Sequence, residues 1–154
     1  MSDTEQQPDH RGQAIGYFNA AWDLIDAPSR SIAEDRDMVT LALASRQHWI
    51  EAGGTEENLA VADWQVAHTA SLAGLPDVAL TFARAAVDRA ESADLPTWLK
   101  ASAHEGLARA HAAAGDKANY TYEADLSRAL LEKVDDDEDR NLISSQLASI
   151  VAPE

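Results

Sequence analysis

The sequence predicts an all-α protein, and three observations carry that prediction. Alanine, the strongest helix former, supplies about a fifth of the 154 residues. No run of β-branched residues alternates with period two. Apolar residues recur every three or four positions between breaks marked by Gly and Pro. Residues 1–11, polar and containing Pro8, are expected to be disordered or frayed. That leaves 12–154 as a single domain, long enough to bury a core without disulfide or metal staples.

Each element has a local cause. A first helix carries Ile15, Phe18, Trp22 and Ile25 on one stripe and ends in DAPS at 26–29, where Pro28 cannot continue the hydrogen-bond ladder. A second runs from about Ser31 to Ala52, with Val39, Ala42, Trp49 and Ile50 inward, and stops at Gly53 and Gly54. Thr55 caps a third, with Asn58 standing where a capping box has Glu or Gln, and this helix reaches Gly74. GLPD at 74–77 places Pro76 in the first turn of a fourth helix, whose inward residues are expected to be Val78, Phe82, Ala86 and Val87.

Pro96 opens a fifth helix that closes at Gly115. A sixth, about 117–134, offers Tyr122, Leu126, Leu130 and Val134 at four-residue spacing. The acidic run DDDED at 135–139 lacks the alternating ligands and sixth-position glycine of a calcium loop. It fits the dipole-stabilised start of a last amphipathic helix carrying Leu142, Ile143 and Leu147.

Composition narrows the function classes. With 27 acidic against 12 basic residues the net charge is -15, so phosphate backbones and anionic membrane surfaces are repelled. Nucleic acid and membrane are therefore not expected partners; the charge reads as a solubility surface or as a face for a basic protein. The absence of cysteine excludes disulfide scaffolds, thiolate metal sites and cysteine nucleophiles. No leader and no run near the roughly 18 apolar residues of a membrane span is seen, so a cytoplasmic location is expected.

The segments VAHTASLAGLPD at 66–77 and LARAHAAAGDKA at 107–118 repeat one pattern, with Gly115 falling 41 residues after Gly74. Each segment ends one helix of a pair and begins the next, the sign of a helical-hairpin repeat. In Ala67, Gly74, Ala79, Phe82 and Ala86, and again in Leu107, Ala108 and Gly115 with Tyr120 and Ala124, the chain resembles the tetratricopeptide-repeat superfamily. The spacing exceeds that family's usual period of about 34 residues. His104 holds the place of the family tryptophan in the second unit, and the closing proline comes late, as Pro96. Residues 59–134 carry the resemblance. It implies a right-handed stack of about three antiparallel helix hairpins plus a C-terminal capping helix. It further implies a concave groove for a protein or peptide, lined by the first helix of each pair, and no enzyme activity.

Candidate site residues follow from a helical wheel. Leu59, Ala62, Val66, Ala70 and Ala73 share one face of the third helix, while Trp64, His68 and Ser71 lie opposite. Trp64 and His68 are either packed by the neighbouring repeat or displayed in the groove as a stacking and hydrogen-bonding pair. One period on, Glu105 and Arg109 match them, as groove contacts or as an ordinary solvated pair. Asp63 sits at the edge of the apolar stripe, where a salt bridge is the simplest account of a carboxylate and a catalytic acid the alternative.

HEGLA at 104–108 has Ala108 where a zincin motif needs its second His, His104 and His111 are seven residues apart, and no nucleophile elbow or phosphate loop is present. No metal and no cofactor is expected. The function expected is a non-catalytic adaptor or regulatory module. The alternatives are a small-molecule sensor or enzyme with a pocket near Trp49, Trp64 and His68, and homo-oligomeric packing through an exposed aromatic.

Overall fold

A computed structural model describes residues 6–154, which form seven helices and no strand. They are α1 (His10–Ile25), α2 (Ile32–Glu51), α3 (Glu56–Leu72), α4 (Pro76–Ser92), α5 (Thr97–Ala113), α6 (Lys117–Leu131) and α7 (Asp137–Ser149). Of the segment 1–11 expected to fray, residues 1–5 lie outside the described residues, and His10 and Arg11 already belong to α1. The earlier start has a local cause: the Asp9 carboxylate accepts from the Gly12 N–H at 2.8 Å and caps the helix.

The other termini obey the same chemistry. Ser31 and Glu34 form a reciprocal capping box at the start of α2. Thr55 and Asn58 do the same for α3, the Asn58 amide oxygen accepting from the Thr55 N–H at 3.1 Å. Gly74 and Gly115, at φ 73° and 74°, supply the left-handed residue that ends α3 and α5. Asp136 accepts from the Asp139 N–H, so the acidic run does begin α7.

Short turns fold each helix back on its predecessor, and every consecutive pair packs together. Close backbone approaches between alternate helices are one-sided: α1 approaches α3, α3 approaches α5 and α5 approaches α7, whereas the backbones of α2, α4 and α6 stay apart. The odd-numbered helices thus form an inner layer, and the even-numbered ones are spread along the outside. Because alternate helices run the same way, the inner layer is four helices pointing in one direction.

Small residues set how closely the layers approach. Ser45 Oγ donates to the Ala14 carbonyl and Ser127 Oγ to the Ala101 carbonyl, each at 2.7 Å and fully buried. Between α3 and α4 the ridge is Ala67 and Ala70 against Ala79 and Ala83. The buried stripe of α4 is accordingly Ala79, Ala83, Ala86 and Ala90, so Val78, Phe82 and Val87 flank the contact rather than form it. On α6 the buried residues are Ala124, Ser127 and Leu131, followed by Val134. Tyr122, expected inward, is 61% exposed. Strict four-residue steps rotate about 40° each around a helix of 3.6 residues per turn, so such a row cannot stay on one face.

Asp63 is fully buried and holds three helices together. Its two oxygens accept from Arg46 Nε on α2 at 2.5 Å and from Arg89 Nε on α4 at 2.9 Å. Arg89 also reaches Glu56, and the Arg46 guanidinium lies over the Phe82 ring. Among the described residues no helix is long and apolar enough to cross a membrane.

Asp63→Asn leaves two partly exposed guanidiniums facing a buried neutral amide, and is expected to cost about 1–3 kcal/mol of stability. Urea unfolding measures this; a loss below a few tenths of a kcal/mol would show that water, not Asp63, satisfies Arg46 and Arg89.

Candidate functional groove

The inner layer has neighbours on nearly every side, so the middle turns of α3 and α5 are buried all round. This places the four expected contact residues: Trp64 and His68 are each 5% exposed, Arg109 is 7% exposed and Glu105 is fully buried. Trp64 and Glu105, matched in the sequence one period apart, hydrogen-bond to each other, and these side chains form the floor of the groove instead of projecting from it. Glu105 and Arg109 are likewise not a solvated pair.

They form one hydrogen-bonded chain. Trp64 Nε1 donates to Glu105 Oε2 at 2.9 Å, across 41 residues of sequence. Arg109 donates from Nε and Nη2 to Glu105 Oε1 at 3.1 and 2.9 Å. The same Nη2 reaches α7, meeting the Gln146 carbonyl at 2.8 Å and Ser149 Oγ at 2.9 Å. Burial pushes the Glu105 carboxyl above its ordinary range, against the opposing pull of Arg109 and of the Trp64 N–H. Gly106 makes the approach of the indole feasible: a Cβ there would lie 2.8 Å from Trp64 Cδ1.

Aromatic rings line the groove above this chain. Trp22 of α1 stacks on Trp64 with centroids 5.9 Å apart, and the His68 ring leans on both, at 4.8 Å from Trp64 and 5.8 Å from Trp22. Burial, then the charges of Arg109 and Arg30, hold the His68 imidazole well below its ordinary pKa, so it is neutral at neutral pH. Its buried Nδ1 has no hydrogen-bond partner.

Two adjoining chambers result. An apolar cavity of about 420 Å³ is walled by Phe18 and Trp22 of α1, Trp64 of α3, Trp98 and Leu99 of α5, and Leu142 and Ile143 of α7, with Asp139 at its edge. Next to it a chamber of mixed character, about 320 Å³, is bounded by Trp22, Ile25 and Leu72 and by Asp26, His68, Arg109, Ser145, Gln146 and Ser149. Trp22 and Gln146 border both. α1 and α7 do not pack against each other, so they stand as opposite walls. Trp49 belongs to neither chamber. It lies on α2, packed with Ala14 and Ala62 beneath Arg11, and borders a separate cavity of about 170 Å³. The expected grouping of Trp49 with Trp64 and His68 is thereby corrected, because the second helix of the first pair faces away from the groove.

Sequence reasoning assigned Trp22, Leu142 and Ile143 only to core stripes and did not single out Trp98. One signal was available: Trp22, Trp64 and Trp98 all lie on odd-numbered helices. What the groove offers chemically is apolar surface, one neutral imidazole, the Asp26 and Asp139 carboxylates, the Arg109 guanidinium and a few hydroxyl and amide groups.

His104 lies outside the groove and clips the last pairs together. Its Nδ1 is 2.6 Å from Glu123 on α6 and its Nε2 3.2 Å from Glu91 on α4. Burial opposes its protonation, but hydrogen bonds to Glu123 and Glu91 prevail and raise its pKa above 6.5.

Comparison with protein families, with curated proteins and with solved structures gives no match for this chain.

Two outcomes follow from this geometry. Gly106→Ala drives a methyl into an indole already wedged between Trp22 and His68. An overpacking cost of about 1–3 kcal/mol should outweigh the helix-propensity gain of about 1 kcal/mol. Thermal melting is expected to shift downward, and a raised Tm would show that Trp64 moves aside freely. For His104 the raised folded pKa means that its stabilisation is complete below the unfolded value of 6.5 and is lost as pH rises through the folded value. His104→Gln should remove that fall on the alkaline side in urea unfolding at a series of pH values; an unchanged pH profile would refute the clip.

Proposed function

We propose that the protein is a non-catalytic binding module. In this reading it is a cytoplasmic, right-handed stack of tetratricopeptide-like hairpins that presents its inner groove to a protein or peptide partner. The observation that carries the reading is the apolar cavity between α1 and α7, where Trp22, Trp98 and Leu142 leave more than enough room for a bulky apolar side chain of the kind that anchors such interfaces. The floor network of Trp64, Glu105 and Arg109 supports the cavity from beneath, so those residues act on the partner through the shape they hold. Around the mouth, Asp139 and the neighbouring acids favour basic residues flanking the anchor.

A second reading is favoured by the depth of the site. Trp64, His68 and Arg109 are sunk in the floor, and α7 walls the groove into a space within the range of small-ligand pockets. The occupant is then a small molecule rather than a side chain.

Leu142 tests the interaction reading, because it is 57% exposed yet lines the cavity. Peptides selected on the wild-type protein from a displayed library should share one bulky apolar anchor. They should lose at least tenfold in affinity for Leu142→Asp at unchanged Tm. Selected peptides without such an anchor, or binding the variant equally well, would sink the proposal.

A further inference from the structure

The apolar cavity between α1 and α7 has one charged residue in its lining. Its walls are aromatic and aliphatic, its uncharged polar residues are Ser102 and Gln146, and the single ionisable group among the described residues is the carboxylate of Asp139. Asp139 is half-buried, and its backbone N–H donates to the Asp136 side chain that caps α7. The Asp139 carboxylate enters none of the ion pairs among the described residues. Arg140, the adjacent cation, is turned instead to Asp137 and to the Val134 carbonyl. Only water on its open side is left to solvate that carboxylate.

A molecule that fills the cavity displaces this water, and the charge of the molecule decides what the displacement costs. A neutral apolar body leaves Asp139 poorer in solvent with nothing in exchange. An anion adds like-charge repulsion to that loss. A cationic nitrogen gives the carboxylate a partner while the rest of the molecule covers Trp22 and Trp98. Indole rings themselves attract an organic cation through their negative π faces, so the charged head is favoured within an aromatic lining. The net charge of -15, with Asp136, Asp137 and Glu138 just before Asp139 in the chain, draws cations and repels anions at longer range. At about 420 Å³ the cavity has room beyond one side chain and falls in the range of small-ligand pockets.

We infer that this cavity binds a small organic cation, a protonated amine on an apolar body, with the body between Trp22 and Trp98 and the ammonium beside Asp139. The inference rests on the small-ligand reading above.

Octylamine, octanol and octanoate share one apolar body and differ in the charge of the head, and their binding can be followed by tryptophan fluorescence and calorimetry. Octylamine should bind at least tenfold more tightly than octanol, with octanoate weakest. Asp139→Asn should abolish the preference for the amine over the alcohol while octanol binds as well as before or better. Glu138→Gln removes the same charge from the same turn of α7 at an exposed position outside the cavity, and should leave the preference intact. The ratio of amine to alcohol affinity, taken within each variant, is insensitive to a change in fold stability. Equal binding of amine and alcohol, tightest binding of octanoate, or the same loss of preference in both variants overturns the assignment of a cation beside Asp139 and leaves the small-ligand reading standing. If none of the three probes binds, that reading falls and the inference with it.

Discussion

The hydrogen-bonded chain from Trp64 through Glu105 to Arg109 is the constraint on which the inner layer depends. A carboxylate and a guanidinium taken out of water are costly, and their attraction offsets that cost only when every polar atom finds a partner. Glu105 meets this condition with the Trp64 N–H on one oxygen and two Arg109 donors on the other, and Arg109 Nη2 carries the chain on to two acceptors on α7. The chain therefore fixes the register of α3 against α5 and the position of α7 over α5. A slip of one turn in either contact would strand a charge in the interior. Apolar packing alone, supplied here largely by interchangeable alanines, would specify those positions poorly.

The elements themselves were legible because their signals are local. Ser31, Thr55 and Asp136 cap by hydrogen bonds to residues three positions away, and Gly74 and Gly115 terminate helices by their own backbone conformation. Which face each helix buries was less legible. The wheel treats one side of α3 as interior, yet that helix has neighbours in both layers and buries Trp64 and Val66 alike. In an alanine-rich helix the contact ridge is made by the smallest residues, so the largest ones, Phe82 on α4 or Tyr122 on α6, are a poor guide to the inward direction.

The candidate site was legible in part for a similar reason. The equivalence of Trp64 with Glu105 and of His68 with Arg109 can be read from the 41-residue spacing, and the structure brings these residues together. That they touch one another rather than solvent depends on the separation of α3 and α5, which no spacing encodes. Asp63 and its partners show the limit most clearly: Arg46 and Arg89 lie 17 and 26 residues away on two different helices. The groove wall from α7 is equally non-local, since Leu142 and Ile143 come to face Trp22 across the cavity only after every intervening turn has formed.

The contact between Trp64 and Glu105 also says something about how the chain is ordered along its length. The two residues lie 41 positions apart at facing places on α3 and α5, one as donor and the other as acceptor. A tandem copy of either unit would set indole against indole or carboxylate against carboxylate at that junction. The α3–α4 and α5–α6 hairpins must therefore differ from each other at that junction to fit, so they form a fixed sequence of unlike parts.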